Sequence, residues 1–191
     1  MHLKSAQKSD KELWDLLRKG SKQAFSIIYK RHVQALLHFG LKLTNDREII
    51  KDTLQELFTE FWKKRASLSE VEHVKVYLIK SFRYKLLRAI SNANKTAIST
   101  LEDLFKEIPE EKFIENELAL ERKKILKTHL QKLPERQREV IHLRYFQNLK
   151  NEEIAEILSI NYQSVSNILH RGIKNLKKYF SGKEIRLPSS N

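Results

Sequence analysis

The chain has 191 residues, with 37 lysines and arginines against 24 aspartates and glutamates, a formal net charge of +13 and no cysteine. The basic excess points to a polyanionic partner, and the absence of thiols excludes a disulfide framework, a thiolate zinc site, an iron–sulfur cluster and a cysteine nucleophile. Its four glycines, Gly20, Gly40, Gly172 and Gly182, are too scattered for a phosphate-cradling loop or a dinucleotide fingerprint, and no nucleophile elbow surrounds a serine.

Caps cut the chain into helices. Asp10 precedes Leu13, Trp14, Leu16 and Leu17, with Gly20 following, which predicts a short helix capped by Asp10. Ser21 caps a second helix that carries Ala24, Phe25, Ile28, Tyr29, Leu36 and Leu37 and runs to Gly40. A third starts at Asn45 or Asp46. Its Ile49, Ile50, Leu54, Leu57, Phe58, Phe61 and Trp62 recur at spacings of three and four and build one apolar stripe. A fourth, over about residues 71–90, carries Val74, Leu78, Ile79, Phe82, Leu86 and Leu87. Residues 91–100 then lose their bulky apolar side chains apart from Ile98, and the stretch to about residue 117 is acidic, as a linker would be. Helix resumes with Leu118, Leu120, Ile125, Leu126 and Leu130, and Pro134 opens another at its first turn, with Val140, Ile141, Leu143, Tyr145 and Phe146.

The expected architecture is all-α, with two small helical domains. Residues 1–20 form an N-terminal helix or arm, 21–90 the first domain, 91–121 the linker, 122–180 the second domain and 181–191 a frayed tail. Charge follows this division, at +9 for residues 1–90, −2 for 91–125 and +6 for 126–191. Two basic lobes on an acidic connector suit a polyanion gripped at two places. No run reaches the roughly 18 apolar residues of a membrane span, and the N-terminus lacks the apolar stretch of a signal peptide. A cytoplasmic protein without membrane insertion is therefore expected.

Residues 151–176 carry the sharpest motif. Asn151 is placed as an N-cap, Glu152 and Glu153 complement the helix dipole, and Ile154, Ala155 and Leu158 face inward. A turn through Ser159, Ile160 and Asn161 leads to a helix anchored by Val165, Ile168 and Leu169. This is the spacing of a helix-turn-helix whose second helix enters the DNA major groove. That helix offers Gln163, Ser164, Asn167, His170, Arg171 and Lys174 to base edges and phosphates. Ser159 stands where glycine usually supplies the left-handed conformation, at a cost of about 1 kcal/mol.

Residues 133–178 resemble the C-terminal domain of bacterial sigma factors of the extracytoplasmic-function class. Residues 24–32, 46–48, 52–64 and 76–90 resemble that family's promoter-melting domain in order and spacing. The resemblance implies a protein that binds core RNA polymerase and promoter DNA, reads the −35 element with the helix-turn-helix and traps an opened −10 strand. It implies polymerase contacts at Asp52, Gln55, Glu56 and Phe58, although the apolar stripe by itself assigns Phe58 and Trp62 to the core. It implies −10 contacts in the segment 65–88, where Lys75, Tyr77, Lys80, Arg83, Tyr84, Lys85 and Arg88 mix cations with aromatic faces. An anti-sigma factor is the further partner it suggests. No catalytic residue, cofactor, metal or small-molecule substrate is expected. The two Glu-x-x-His pairs, Glu70 with His73 and Glu139 with His142, fall in different predicted domains and do not make a di-iron site. The alternative reading is a one-component helix-turn-helix transcriptional regulator, which would bind a duplex site without polymerase.

Overall fold

The structure is a computed structural model that describes residues 8–96, 125–126 and 128–181, and no strand occurs among them. Its first four helices are α1 (Asp10–Arg18), α2 (Lys22–Gly40), α3 (Arg47–Lys63) and α4 (Val74–Thr96), with a 3-10 turn at Arg65–Ser67 between the last two. Their starts follow cap chemistry. Ser21 and Asp46 cap α2 and α3 by accepting first-turn N–H groups. Ser9 caps α1 instead of Asp10: its hydroxyl accepts the Glu12 N–H, and the Glu12 carboxylate accepts the Ser9 N–H at 2.7 Å. Asp10 is thereby left to bind Arg31 at 2.8 Å and His32 at 2.7 Å on α2. Gly20 closes α1 with a φ of +94°, which a side chain would strain.

Helix α1 packs into the first lobe. Leu13, Trp14 and Leu17 are fully buried, joining Ile28, Leu36, Phe39, Ile50, Leu57, Leu78, Ile79, Phe82 and Leu86. Burial of each such side chain contributes roughly 1.5–3 kcal/mol, so detaching α1 would uncover a large part of this core. Helix α4 continues to Thr96, taking in the first six residues of the predicted linker, 91–96. Residues 97–124, with the acidic linker and the predicted positions of Leu118 and Leu120, lie outside the described residues, as does the tail beyond 181.

The second lobe holds a helical segment over residues 125–126 and 128–131, then α5 (Glu135–Ile141), a π-type turn (His142–Phe146), α6 (Asn151–Leu158) and α7 (Tyr162–Ser181). Pro134 is the N-cap of α5, one residue before the expected position. Leu133, Val140, Ile141, Leu143, Leu149, Ile154, Ile157, Leu158, Val165 and Leu169 form this lobe's buried apolar side chains. Gly172 of α7 sits against α5 so closely that a Cβ there would lie 2.8 Å from Ile141 Cδ1. The bare backbone lets the two helices touch.

Candidate nucleic-acid interface

The turn between α6 and α7 has the expected left-handed residue. Ser159 takes φ 52° and ψ 46°, and the Ile160 N–H closes onto the Ala155 carbonyl at 3.1 Å. Asn161, read from sequence as part of the turn, accepts the Ser164 N–H at 2.7 Å and so caps α7. The cap of α6 falls one residue earlier than expected. Lys150 is the N-cap residue, its N–H bonded to the Glu153 carboxylate at 2.7 Å, while Asn151 is the first helical residue and reaches Ser166 Oγ at 3.4 Å. Val165 and Leu169 pin the inner side of α7, and Gln163, Asn167, His170, Arg171 and Lys174 are exposed along the other, with Ser164 half-buried. Those five share one outward face because residues three and four apart align on a helix.

The predicted −10 residues are differently disposed. Tyr84, 69% exposed, and the exposed Arg88 point to solvent from α4. Tyr77 is half-buried, its ring stacked on Phe61 at 5.7 Å and edge-on to Trp14 at 5.3 Å, so it builds the wall of the core. Lys85 bonds to Glu56 and Glu60 of α3, each at 2.6 Å. With Lys64 also on Glu60, these cations hold its carboxyl at about 2, well below the usual carboxylate range.

The three remaining cations face the second lobe. Lys75 Nζ donates to the Gln147 carbonyl at 2.6 Å, and burial pushes its ammonium below the usual lysine range. Lys80 meets Glu156 of α6 at 3.1 Å, and Arg83 Nε donates to Glu139 at 2.6 Å. Glu139 is only 3% exposed at its side chain and also accepts from Arg136 at 3.0 Å, so one carboxylate joins two guanidinium groups across the seam.

Apolar and neutral groups complete the seam. Gln147 Nε2 donates to the Ala35 carbonyl of α2 and to His142 Nε2, both at 3.2 Å. The shared donor makes His142 Nε2 an acceptor and places the ring proton on Nδ1, a buried atom without a partner among the described residues. The imidazole lies between Phe39 of α2, centroid to centroid 6.1 Å, and Phe146 at 5.3 Å. Burial first, then the positive charges of Lys42, His38 and Lys75, lower its pKa to about 3. None of these cross-lobe partners was apparent in the sequence, since nothing local pairs Arg83 with a glutamate 56 positions away.

On α3, Asp52, Gln55 and Glu56 are exposed and line a shallow depression with Thr59, Glu60, Lys63 and Lys64. Phe58 departs from the polymerase contact that the resemblance implied. It is 4% exposed and packs against Phe25, Tyr29 and Phe61, because its place in the helical repeat turns it inward. Trp62 is half-buried, with the Arg65 guanidinium 4.5 Å above its ring. A separate apolar groove, which the sequence reading missed, lies between Leu126, Leu130, Ile141, Tyr145, Phe146, Ile173 and Leu176. Tyr145 and Phe146, placed from sequence on the helix that Pro134 opens, are 60% and 57% exposed.

Residues 123–176 match the model of the family described as sigma-70, region 4. RNA polymerase sigma factor YlaC of Bacillus subtilis is 28% identical over 156 residues, covering 79% of this chain and 88% of that protein. ECF RNA polymerase sigma factor SigM of the same organism is 23% identical over 156 residues, 81% and 93% of the two chains. Among solved structures, CnrH in complex with the cytosolic domain of CnrY superposes with a TM-score of 0.65 at 18% identity, covering 93% of this chain and all of that one. The sigma factor RpoE from Bartonella quintana, in complex with the anti-sigma factor NepR, gives 0.62 at 19% identity, covering 82% and 96%. These structures share the two-lobed helical fold.

Proposed function

From the premise that the chain is a sigma factor of the extracytoplasmic-function class, directing transcription through RNA polymerase, we propose that it reads the −35 element with α7 and traps an opened −10 strand with α4. The observation that carries the first half is the exposed row Gln163, Asn167, His170, Arg171 and Lys174, standing opposite a buried anchor on a helix that follows a left-handed turn. Amide and guanidinium groups on such a row read base edges, and the lysine holds phosphate. On the first lobe, Asp52, Gln55 and Glu56 would face core polymerase. Lys75, Lys80 and Arg83 would take the −10 backbone, with Tyr84 as the ring free to stack on an unpaired base.

Strand opening then draws on the difference in binding between duplex and single strand, not on any bond the protein breaks. DNA can reach Lys75, Lys80 and Arg83 only by displacing Gln147, Glu156 and Glu139, so the lobes part when promoter binds. The compact two-lobed fold is shared with chains solved together with CnrY and NepR, which supports an anti-sigma factor as a further partner of this one. The test is run-off transcription by purified core polymerase on random promoter fragments, with and without the protein. Starts that appear only with the protein and share two spaced elements are expected. A protein that adds no starts yet selects a duplex site alone would be a one-component regulator instead.

A further inference from the structure

The connection from α3 to α4 makes few hydrogen bonds of its own. Past the 3-10 turn at Arg65–Ser67, the stretch 68–73 has no regular structure, and its main-chain carbonyls must find donors elsewhere. Two consecutive ones find them on α1. Arg18 Nε donates to the Leu68 carbonyl at 2.8 Å and the Trp14 indole N–H donates to the Ser69 carbonyl at 3.0 Å. Arg18 also pairs with Glu70 at 3.1 Å, and Lys11 with Glu72. Positions 11, 14 and 18 share one side of the helix, while Leu13 and Leu17 are buried in the core of the lobe.

Trp14 serves two neighbours at once. Its ring is edge-on to Phe61 at 5.7 Å and to Tyr77 at 5.3 Å, and its N–H enters the loop. The loop is thus pinned to the aromatic cluster beneath the first turn of α4, next to Lys75. The Leu68 and Ser69 carbonyls face α1, and Ser69, Glu70, Glu72 and His73 are exposed.

We infer that α1 is the strut that sets the shape of loop 68–73 for the −10 strand, with Trp14 and Arg18 as positioning residues; this rests on the function proposed above. The salt bridges to Glu70 and Glu72 are exposed and contribute little. The two bonds to consecutive carbonyls carry the geometry. Removing one frees the loop's course just where it leaves the 3-10 turn.

The test uses the polymerase complex of the full chain and three variants, with two oligonucleotide probes: the single-stranded −10 sequence found in the run-off experiment and the −35 duplex. Arg18→Met keeps the aliphatic packing and removes the donor. It should weaken −10 strand capture about fivefold, as expected for one hydrogen bond of about 1 kcal/mol, while −35 binding and polymerase binding stay as in wild type. Arg18→Lys, which restores a single donor, should recover most of the loss. Leu13→Ala lowers stability from the same helix without touching the loop, so it should weaken neither probe selectively. The inference is overturned if Arg18→Met captures the −10 strand as wild type does, or loses both probes equally, or if Leu13→Ala reproduces the selective loss. A wild-type complex that starts no transcription would instead overturn the functional reading itself.

Discussion

The two surfaces proposed to bind DNA are in opposite states. On α7 the proposed groove-reading row is exposed, and Gln163 donates to Asn167 within it at 3.2 Å. On α4, three of the five cations are already bound by the second lobe, at the Gln147 carbonyl, Glu156 and Glu139. On the proposed function, one reader stands ready and the other is held in reserve, with the second lobe's Glu139, Glu156 and Gln147 carbonyl where phosphates would go. The difference teaches that net charge is a poor guide to what a basic protein offers DNA: the location of the acidic partners decides it.

Four predictions sharpen or break that contrast. The largest effect belongs to Glu139→Ala, which strands Arg83 and Arg136 without their shared partner. The two guanidinium groups left behind are 18% and 39% exposed, so solvent screens part of the penalty and the loss is about 2–3 kcal/mol; unfolding should occur at lower denaturant, small-angle scattering should show a larger radius, and the free protein should bind a −10 single strand more tightly. A destabilised protein that stays as compact as wild type and binds no better would reduce Glu139 to a fold-stabilising residue. On the ready side, Arg171→Ala should weaken −35 duplex binding by about 2 kcal/mol if the guanidinium reaches a base, or flatten the salt dependence by about one charge if it reaches phosphate. Equal binding at several salt concentrations would contradict both.

The third concerns pH. His142 titrates at about 3 in the closed seam against an ordinary value of 6.5, so it is the parted form that takes up the proton. Closure is therefore undiminished above about pH 6.5 and weakens as pH falls below it, by about 1.4 kcal/mol at pH 5.5. A probe of lobe separation should show this loss in wild type and a flatter profile in His142→Leu. His32 is paired with Asp10 inside the first lobe, so its titration bears on that lobe's stability and not on the separation. The smallest effect is expected for Glu156→Gln, since its pair with Lys80 is about half exposed on both sides. A surface pair of this kind contributes about 0.5 kcal/mol, a barely twofold change in −10 strand binding by titration.

Local chemistry made much of this fold legible in the sequence. Ser21, Asp46 and the left-handed Ser159 act over three or four residues, within reach of a pattern read along the chain. The misses at Ser9, Lys150 and Pro134 are single-residue shifts: adjacent polar residues, Ser9 with Asp10 and Lys150 with Asn151, compete for the first two caps, and at Pro134 only the backbone decides where the helix begins. Phe58 shows the apolar stripe to be the better guide for that position, burying a residue the family pattern had offered to polymerase. The seam was illegible for a different reason. The Arg83 bond to Glu139 and the Gln147 bond to Ala35 join residues with no periodic relation, and both depend on how two separately folded lobes meet.

The absence of cysteine makes the central claim directly measurable, because two introduced thiols would be the only labelling sites. Exposed Ser26 of α2 and Lys178 of α7 can each be changed to cysteine and labelled as a donor and acceptor pair. Energy transfer should report one short separation in the free protein and a clearly longer one in the complex with core polymerase and promoter, as the α4 cations exchange the second lobe's acceptors for DNA. A complex that transcribes while the separation stays at its free value would contradict the account.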